Sequence, residues 1–265
     1  MLAIARDLRD EADELYRFLG DLREDDWSRP TRFKAWTPWD VVAHLHFFDR
    51  MSLLALEDPE AFAARRTQLV EGLAAGQGHA ELARREYGAL DPAALREAWH
   101  ESCLDLADKL GAADPRRRLP WFGPDMGVPM FTTARLMETW AHGQEIYDLM
   151  RVERAPTDRL RHVALIGVKT FGWSFANRGQ QPPGPPPYVR LTAPSGEVWE
   201  WGEPSPEERV EGSALDFCQV VTQVRNVAET GLVVEGEVAR QWMAIAQCFA
   251  GGPEDPPRPG ERRAE

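Results

Sequence analysis

Apolar residues recur at a 3.6-residue spacing along the first part of the chain, with polar or proline-containing stretches between the periodic segments. This pattern predicts helices near 2–22, 38–56, 58–88 (with a break around the Gly-Gln-Gly of 76–78), 92–111 and 131–150. The last two are separated by "GAADPRRRLPWFGPDMGVPMF", whose prolines and glycines indicate a long crossover loop. Long helices with one such connection are typical of a four-helix bundle with a crossover.

The pattern changes after residue 155. A helix near 157–174 precedes a proline-rich run, and "YVRLTAP" and "EVWEWG" flank a Ser-Gly turn, which indicates a β-hairpin. A short strand at "ERVEGS", a helix over 214–226, a strand at "GLVVEG" and a helix over 236–249 complete the pattern. We therefore predict an α+β protein with a helical bundle over 1–155 and a smaller α+β domain over 156–252. The proline- and charge-rich tail, 253–265, is predicted to be poorly ordered.

Composition excludes several classes of protein. Hydrophobic residues make up 43% of the chain and charged residues 28%, and no apolar run is long enough to span a bilayer. The N-terminal segment carries acidic residues throughout, unlike a signal peptide, so we expect a cytoplasmic protein without a membrane partner.

The formal charge of −12 disfavours nucleic acid as a partner. The three cysteines are far apart and form no CxxC, so neither a disulfide framework nor a thiolate metal site is indicated.

The segment "ETWAHGQEIYD" places Glu138 four residues before His142, so one helix face would present both side chains to one ion. A third ligand is needed, because catalytic sites for zinc-like ions normally take three protein ligands. His44 falls inside the apolar stripe of the helix over 38–56, whereas His46 falls on the far side. A metal ion or a hydrogen bond would each satisfy a buried imidazole. We interpret His79, like the remaining histidines, as a residue without a ligand role.

These segments carry a resemblance to a known family. "WTPWDVVAHL" and "ETWAHGQEIYD" resemble the DinB-like metal-binding bundle, specifically that of the mycothiol-dependent maleylpyruvate isomerases. "GSALDFCQVVTQVR" and "IAQCFAGG" resemble the small C-terminal domain of that family, and "METWAHGQ" and "DFCQVVTQ" resemble an uncharacterised actinobacterial branch of it. The resemblance implies a zinc triad of His44, Glu138 and His142. A functional arginine of the family corresponds to Arg225, although its context here is "TQVRN".

The resemblance implies a metal-dependent thiol transferase or isomerase that uses mycothiol on a small electrophilic substrate. A bound divalent cation, with zinc preferred and iron or nickel as alternatives, would favour the nucleophilic thiolate. Arg135 and Arg225 are the candidate catalytic residues. Arg135 could orient Glu138 or a substrate carboxylate, or it could form a salt bridge on the helix surface. Arg178 and Arg225 are candidate contacts for the thiol cofactor.

Two other functions stay open. Two histidines and a carboxylate also describe the facial triad of mononuclear iron enzymes. Alternatively, the bundle could hold a metal and a ligand without catalysis. In each case the expected partners are small molecules, and the protein is expected to be a monomer or a homodimer.

Overall fold

The computed structural model describes residues 2–263 and divides the chain into two compact units, unit 1 up to Leu149 and unit 2 from Met150. The division falls a few residues before the predicted boundary at 155. The last helix of unit 1 ends one residue past this division, at Met150, and the next residue, Arg151, has a φ of 56°, a left-handed conformation that terminates a helix. The extended chain after this point therefore belongs to unit 2.

Unit 1 contains all the helices that the apolar periodicity predicts for the first part of the chain. The helices are α1 Ala3–Gly20, α2 Pro38–Glu57, α3 Pro59–Ala74, α4 His79–Tyr87, α5 Pro92–Ala112 and α6 Val128–Met150. The predicted segment 58–88 is divided into α3 and α4 at the expected glycines. Helices α1, α2, α5 and α6 form the bundle, and the fold class predicted from the sequence is confirmed.

Three of these helices begin with the same local signal, a capping side chain followed by proline. Thr37, Asp58 and Asp91 each accept a hydrogen bond from a backbone N–H of the first turn. The proline that follows each one lacks the N–H that a helix start would leave unsatisfied, and its φ angle is already helical. The start of α2, and with it the position of every side chain on that helix, is therefore specified locally.

The predicted crossover between α5 and α6 is not entirely irregular. Strands β1 Arg118–Leu119 and β2 Met126–Gly127 pair antiparallel within it. Trp121, between the two strands, stacks on Phe62 at a ring-centroid distance of 5.9 Å and contacts Phe131 edge-on at 4.9 Å. The connection is thereby packed onto the apolar core of unit 1.

Unit 2 combines a four-stranded sheet with short helices. Its strands are β3 Tyr188–Thr192, β4 Val198–Trp201, β5 Arg209–Ser213 and β6 Val233–Glu235, in the order β4-β3-β5-β6. The β3–β4 and β5–β6 pairs are antiparallel, and β3–β5 is parallel. The helices are α7 Leu160–Lys169, α8 Phe171–Ala176, α9 Ala214–Val221 and α10 Glu237–Met243. The predicted hairpin is present, but α9 and α10 end about five residues early.

Within 253–263, the C-terminal segment forms hydrogen bonds with earlier residues of unit 2. The Gln223 side chain donates a hydrogen bond to the carbonyl oxygen of Glu254, and the Asn226 side chain donates one to that of Pro257, each at 2.8 Å. Pro257 is buried. These hydrogen bonds tie a segment of low apolar content to unit 2, and the poor order expected for 253–265 stays a prediction. Among residues 2–263, no helix has both the length and the apolar character needed to cross a membrane.

Candidate metal centre

The three predicted ligands converge in unit 1. His44 lies on α2, and Glu138 and His142 lie one turn apart on α6. Each residue contributes a donor atom, and the three atoms all lie within 4.8 Å of one another. The His142 Nε2 atom is 3.2 Å from the Glu138 Oε2 atom, and the His44 and His142 ring centroids are 4.6 Å apart. Two imidazoles and a carboxylate at this spacing fit a divalent cation and leave coordination positions open for an exogenous ligand.

The electrostatic environment favours the metal-binding protonation states of two ligands, His44 and Glu138. Burial lowers the pKa of His44 well below its usual value, and the nearby positive charge of Arg135 contributes. Burial by itself would raise the pKa of Glu138, but the hydrogen bond and charge of His142, together with the charges of Arg135 and His79, outweigh it, and the net shift is downward. At neutral pH the site therefore holds a neutral His44 imidazole and an ionised Glu138 carboxylate. A cation can bind these forms without displacing their protons.

Aromatic side chains enclose the ligands. The Trp36 ring lies 5.0 Å from His44 and stacks on His142 at 5.8 Å, while Phe33 lies 5.4 Å from His142. The chain between these two aromatic residues is strained, because Lys34 and Ala35 have φ angles of 50° and 56°. Strained backbone conformations of this kind cluster at functional sites. Here the strain accompanies the placement of two aromatic rings against the ligands.

His46, which falls outside the apolar stripe in the sequence, lies on a second buried side of α2. Its Nδ1 atom is 2.9 Å from the Ser102 hydroxyl oxygen of α5, and the residue is buried. His46 is therefore satisfied by a hydrogen bond away from the ligand cluster.

Arg135 lies in the core and not on the helix surface. Its Nε and Nη2 atoms are each 3.0 Å from the Asp49 Oδ1 atom, and the side chains are 3% and 0% exposed. Arg135 does form a salt bridge, but the prediction that this salt bridge lies on the helix surface is wrong, because the partner is a buried residue of α2. The charge of Arg135 also lowers the pKa of Glu138. Sequence reasoning missed Asp49, although an acidic residue inside an apolar helical segment is a signal for a buried partner.

His79 is a second residue whose place sequence reasoning missed. It is the first residue of α4, and its ring lies 5.9 Å from that of His44 and 5.7 Å from that of Phe48. A small cavity is bordered by these three residues together with Leu82 and Ala83 of α4. The break before His79 could be predicted, but the return of α4 across α2 could not.

The two other predicted arginines lie in unit 2. Arg178 forms an ion pair with Asp255 at 2.7 Å and also donates a hydrogen bond to the carbonyl oxygen of Glu254. Arg225 is buried, and its Nη1 atom donates a hydrogen bond to the carbonyl oxygen of Val224 at 2.9 Å. Their roles in thiol binding, and the catalytic role of Arg225, stay predictions.

Comparison with known proteins places the sequence of unit 1 in a family. The family model described as mycothiol maleylpyruvate isomerase N-terminal domain matches residues 8–147, which include all three candidate ligands. Proteins from two strains of Mycobacterium tuberculosis, each described as uncharacterized, are 40% identical over 93% of this chain and 95% of their own length.

Two solved structures share the fold. The crystal structure of the mycothiol-dependent maleylpyruvate isomerase has a TM-score of 0.54 and 14% identity, over 89% of this chain and 93% of that one. A mutant of that isomerase has a TM-score of 0.50 and 14% identity, over 82% and 86%. At this identity the likeness is one of fold.

Proposed function

Since this chain belongs to the mycothiol maleylpyruvate isomerase family, we propose that it is a metal-dependent enzyme that uses mycothiol to transfer a thiol to, or to isomerise, a small electrophilic substrate. The observation that supports this proposal best is the convergence of His44, Glu138 and His142 within 4.8 Å. Binding through two helices of the bundle would fix the ion rigidly. The proposed ion is zinc, and iron and nickel are the alternatives to be distinguished by elemental analysis.

When bound, a divalent cation would supply charge that stabilises a thiol in its nucleophilic thiolate form. The side chains of this chain prepare the site for that chemistry. His44 and His142 offer imidazole nitrogens, and Glu138 offers one negative charge, so the complex with a divalent cation would keep a net charge of +1. An anionic sulfur or oxygen atom would neutralise that remaining charge.

The surroundings of the ligands support the same function. Trp36, Phe33 and Phe48 border the histidines and would limit the access of water. Electrostatic interactions become stronger where water is excluded. Arg135, which pairs with Asp49, lowers the pKa of Glu138 by its positive charge, and we propose that Arg135 acts by orienting this carboxylate.

The test is an assay of the purified full chain with mycothiol and a panel of electrophiles that includes maleylpyruvate. Elemental analysis first identifies the bound metal. We expect mycothiol-dependent turnover that a chelator abolishes and that one added divalent metal restores. His44→Ala should be inactive, whereas His46→Asn should retain activity. Binding of mycothiol without turnover of any electrophile would favour the non-catalytic alternative, and a chain that binds no metal would overturn the proposal.

A further inference from the structure

His79 stands beside the metal centre without belonging to it. Among the described residues, the mutually close donor atoms belong to His44, Glu138 and His142, and His79 is outside that group. Its ring is nevertheless 5.9 Å from His44 and perpendicular to it, at 89°. A titratable ring this close to a ligand contributes to the environment of whatever the centre binds.

We propose that His79 donates a hydrogen bond to the exogenous ligand of the centre and thereby selects ligands that present an anionic acceptor atom, a thiolate sulfur or a carboxylate oxygen. This inference rests on the proposed function. It adds a ligand-contacting residue from α4 to the three residues from α2 and α6.

The first support is the cavity between the two histidines. Its volume is about 10 Å³, room for about one water molecule, and its other lining residues include Phe48, Leu82 and Ala83. The two imidazoles are therefore the polar side chains that this cavity offers to a ligand atom. A hydrogen bond formed in such apolar surroundings is stronger than one formed in water.

The second support is the way α4 is held. The Arg84 Nε and Nη2 atoms contact the two carboxylate oxygens of Asp40 at 2.5 and 2.7 Å. Asp40 lies one turn before His44 on α2, and Arg84 lies five residues after His79 on α4. This bidentate pair fixes α4 on the part of α2 that carries His44. This anchor holds the start of α4, and with it His79, in a defined position near His44. A residue that contacts a ligand needs such a fixed position.

The third support is the sign of the surrounding charge. Lys34 and Arg135 both act on His44 as positive charges. A cation held by two neutral imidazoles and one carboxylate adds a further net positive charge. An anionic ligand is therefore favoured at this centre, and a histidine N–H is a suitable partner for it.

The test uses the full chain loaded with cobalt(II), whose absorption spectrum reports changes in the coordinating ligands, and N-acetylcysteine as the thiol probe. Metal content, the spectrum and the dissociation constant of the probe are measured for the wild type, His79→Phe and His79→Gln. His100→Gln is the matched control, because His100 hydrogen bonds to Asp13 and stacks on Tyr16.

We expect His79→Phe to retain its metal but to bind N-acetylcysteine about tenfold more weakly, as the loss of one hydrogen bond to a charged group predicts. His79→Gln retains a donor and should recover most of the affinity, while His100→Gln should match the wild type. His79→Leu provides the same comparison should phenylalanine prevent folding, which circular dichroism would show.

Two results would overturn the inference while leaving the proposed function intact. Unchanged affinity for the probe in His79→Phe or His79→Leu would show that His79 only packs against His44. Loss of metal from both the Gln and the apolar variants would make His79 a metal ligand instead. A wild-type chain that binds no cobalt would overturn the proposed function itself.

Discussion

Arg135 and Asp49 form a buried ion pair that joins the two helices carrying the candidate ligands, with the Arg135 Nε atom 3.0 Å from the Asp49 Oδ1 atom. Arg135 precedes Glu138 by three residues on α6, and Asp49 follows His44 by five residues on α2. The pair therefore lies about one helical turn from a candidate ligand on each helix and contributes to how α2 and α6 face each other.

Removal of either partner should be strongly destabilising. Asp49→Ala or Arg135→Ala leaves an uncompensated charge in the core, and each should lower the free energy of unfolding by about 3–5 kcal/mol in urea denaturation. Lys109→Ala is the control, because Lys109 pairs at the surface with Glu57 and Asp105 and its loss should cost at most about 1 kcal/mol. Equal costs for the buried and surface variants would contradict the prediction.

The Asp49–Arg135 pair should also be replaceable as a unit. The double variant Asp49→Leu/Arg135→Met removes both charges and should be less destabilised than either single alanine variant. Because the proposed orientation of Glu138 by Arg135 would be lost, the zinc affinity of the double variant should fall about 10- to 100-fold, the usual cost of losing a residue that supports a ligand. Isothermal titration with zinc measures this effect. Unchanged zinc affinity would show that the pair has only a structural role.

Loss of a direct ligand should have a larger effect on metal binding. His44→Ala and His142→Ala should each lower zinc affinity by more than about 100-fold, beyond the range expected for supporting residues. His46→Ala should keep the metal although it removes the hydrogen bond to Ser102. Elemental analysis after dialysis distinguishes these outcomes. Full zinc content in both ligand variants would exclude the site.

The Asp40–Arg84 pair should make stability depend on pH at the acidic end. Burial by itself would raise the pKa of Asp40, but hydrogen bonds from Arg84 and Thr37 outweigh it, and the net shift is downward. The ionised carboxylate therefore stabilises the folded state above the unfolded-state pKa of about 3.9, and this contribution is lost as the pH falls through the folded-state pKa.

Asp40→Asn is the variant that measures this contribution. In metal-free protein at neutral pH, it should be less stable than the wild type by on the order of 1 kcal/mol. The difference should shrink as the pH falls below the unfolded-state pKa and should disappear below the folded-state pKa, because the wild-type carboxyl is then protonated in the folded state as well. Urea denaturation across a pH series gives both curves. A difference that stays constant over the whole series would refute the assignment.

Gly167 lies on α7 of unit 2, where this helix packs closely against α9. We expect that no larger residue fits there. A Cβ atom there would lie 2.8 Å from the Val221 Cγ2 atom and 3.1 Å from the Phe217 Cε1 atom. Gly167→Ala should therefore lower the melting temperature, with a cost of about 1–3 kcal/mol. Gly172→Ala is the matched control, because the space around Gly172 is open, and it should be neutral or stabilising by up to about 1 kcal/mol. Equal melting temperatures for both variants would contradict this packing argument.

The sequence by itself determined the features that depend on local chemistry. Thr37 with Pro38 sets the start of α2, and helical periodicity then separates His44 from His46. The four-residue spacing of Glu138 and His142 places them on one face of α6 for the same reason. These inferences succeed because helix geometry converts sequence spacing directly into direction.

Only the tertiary structure decided which side chains meet across the chain. His79 reaches His44 because α4 turns back over α2 after the glycines at 76–78, and Asp49 meets Arg135 because α2 and α6 pack together. The C-terminal segment is held by side-chain amides from Gln223 and Asn226, about thirty residues earlier. Such contacts depend on the relative placement of distant elements, and the periodicity of a single helix carries no information about that placement.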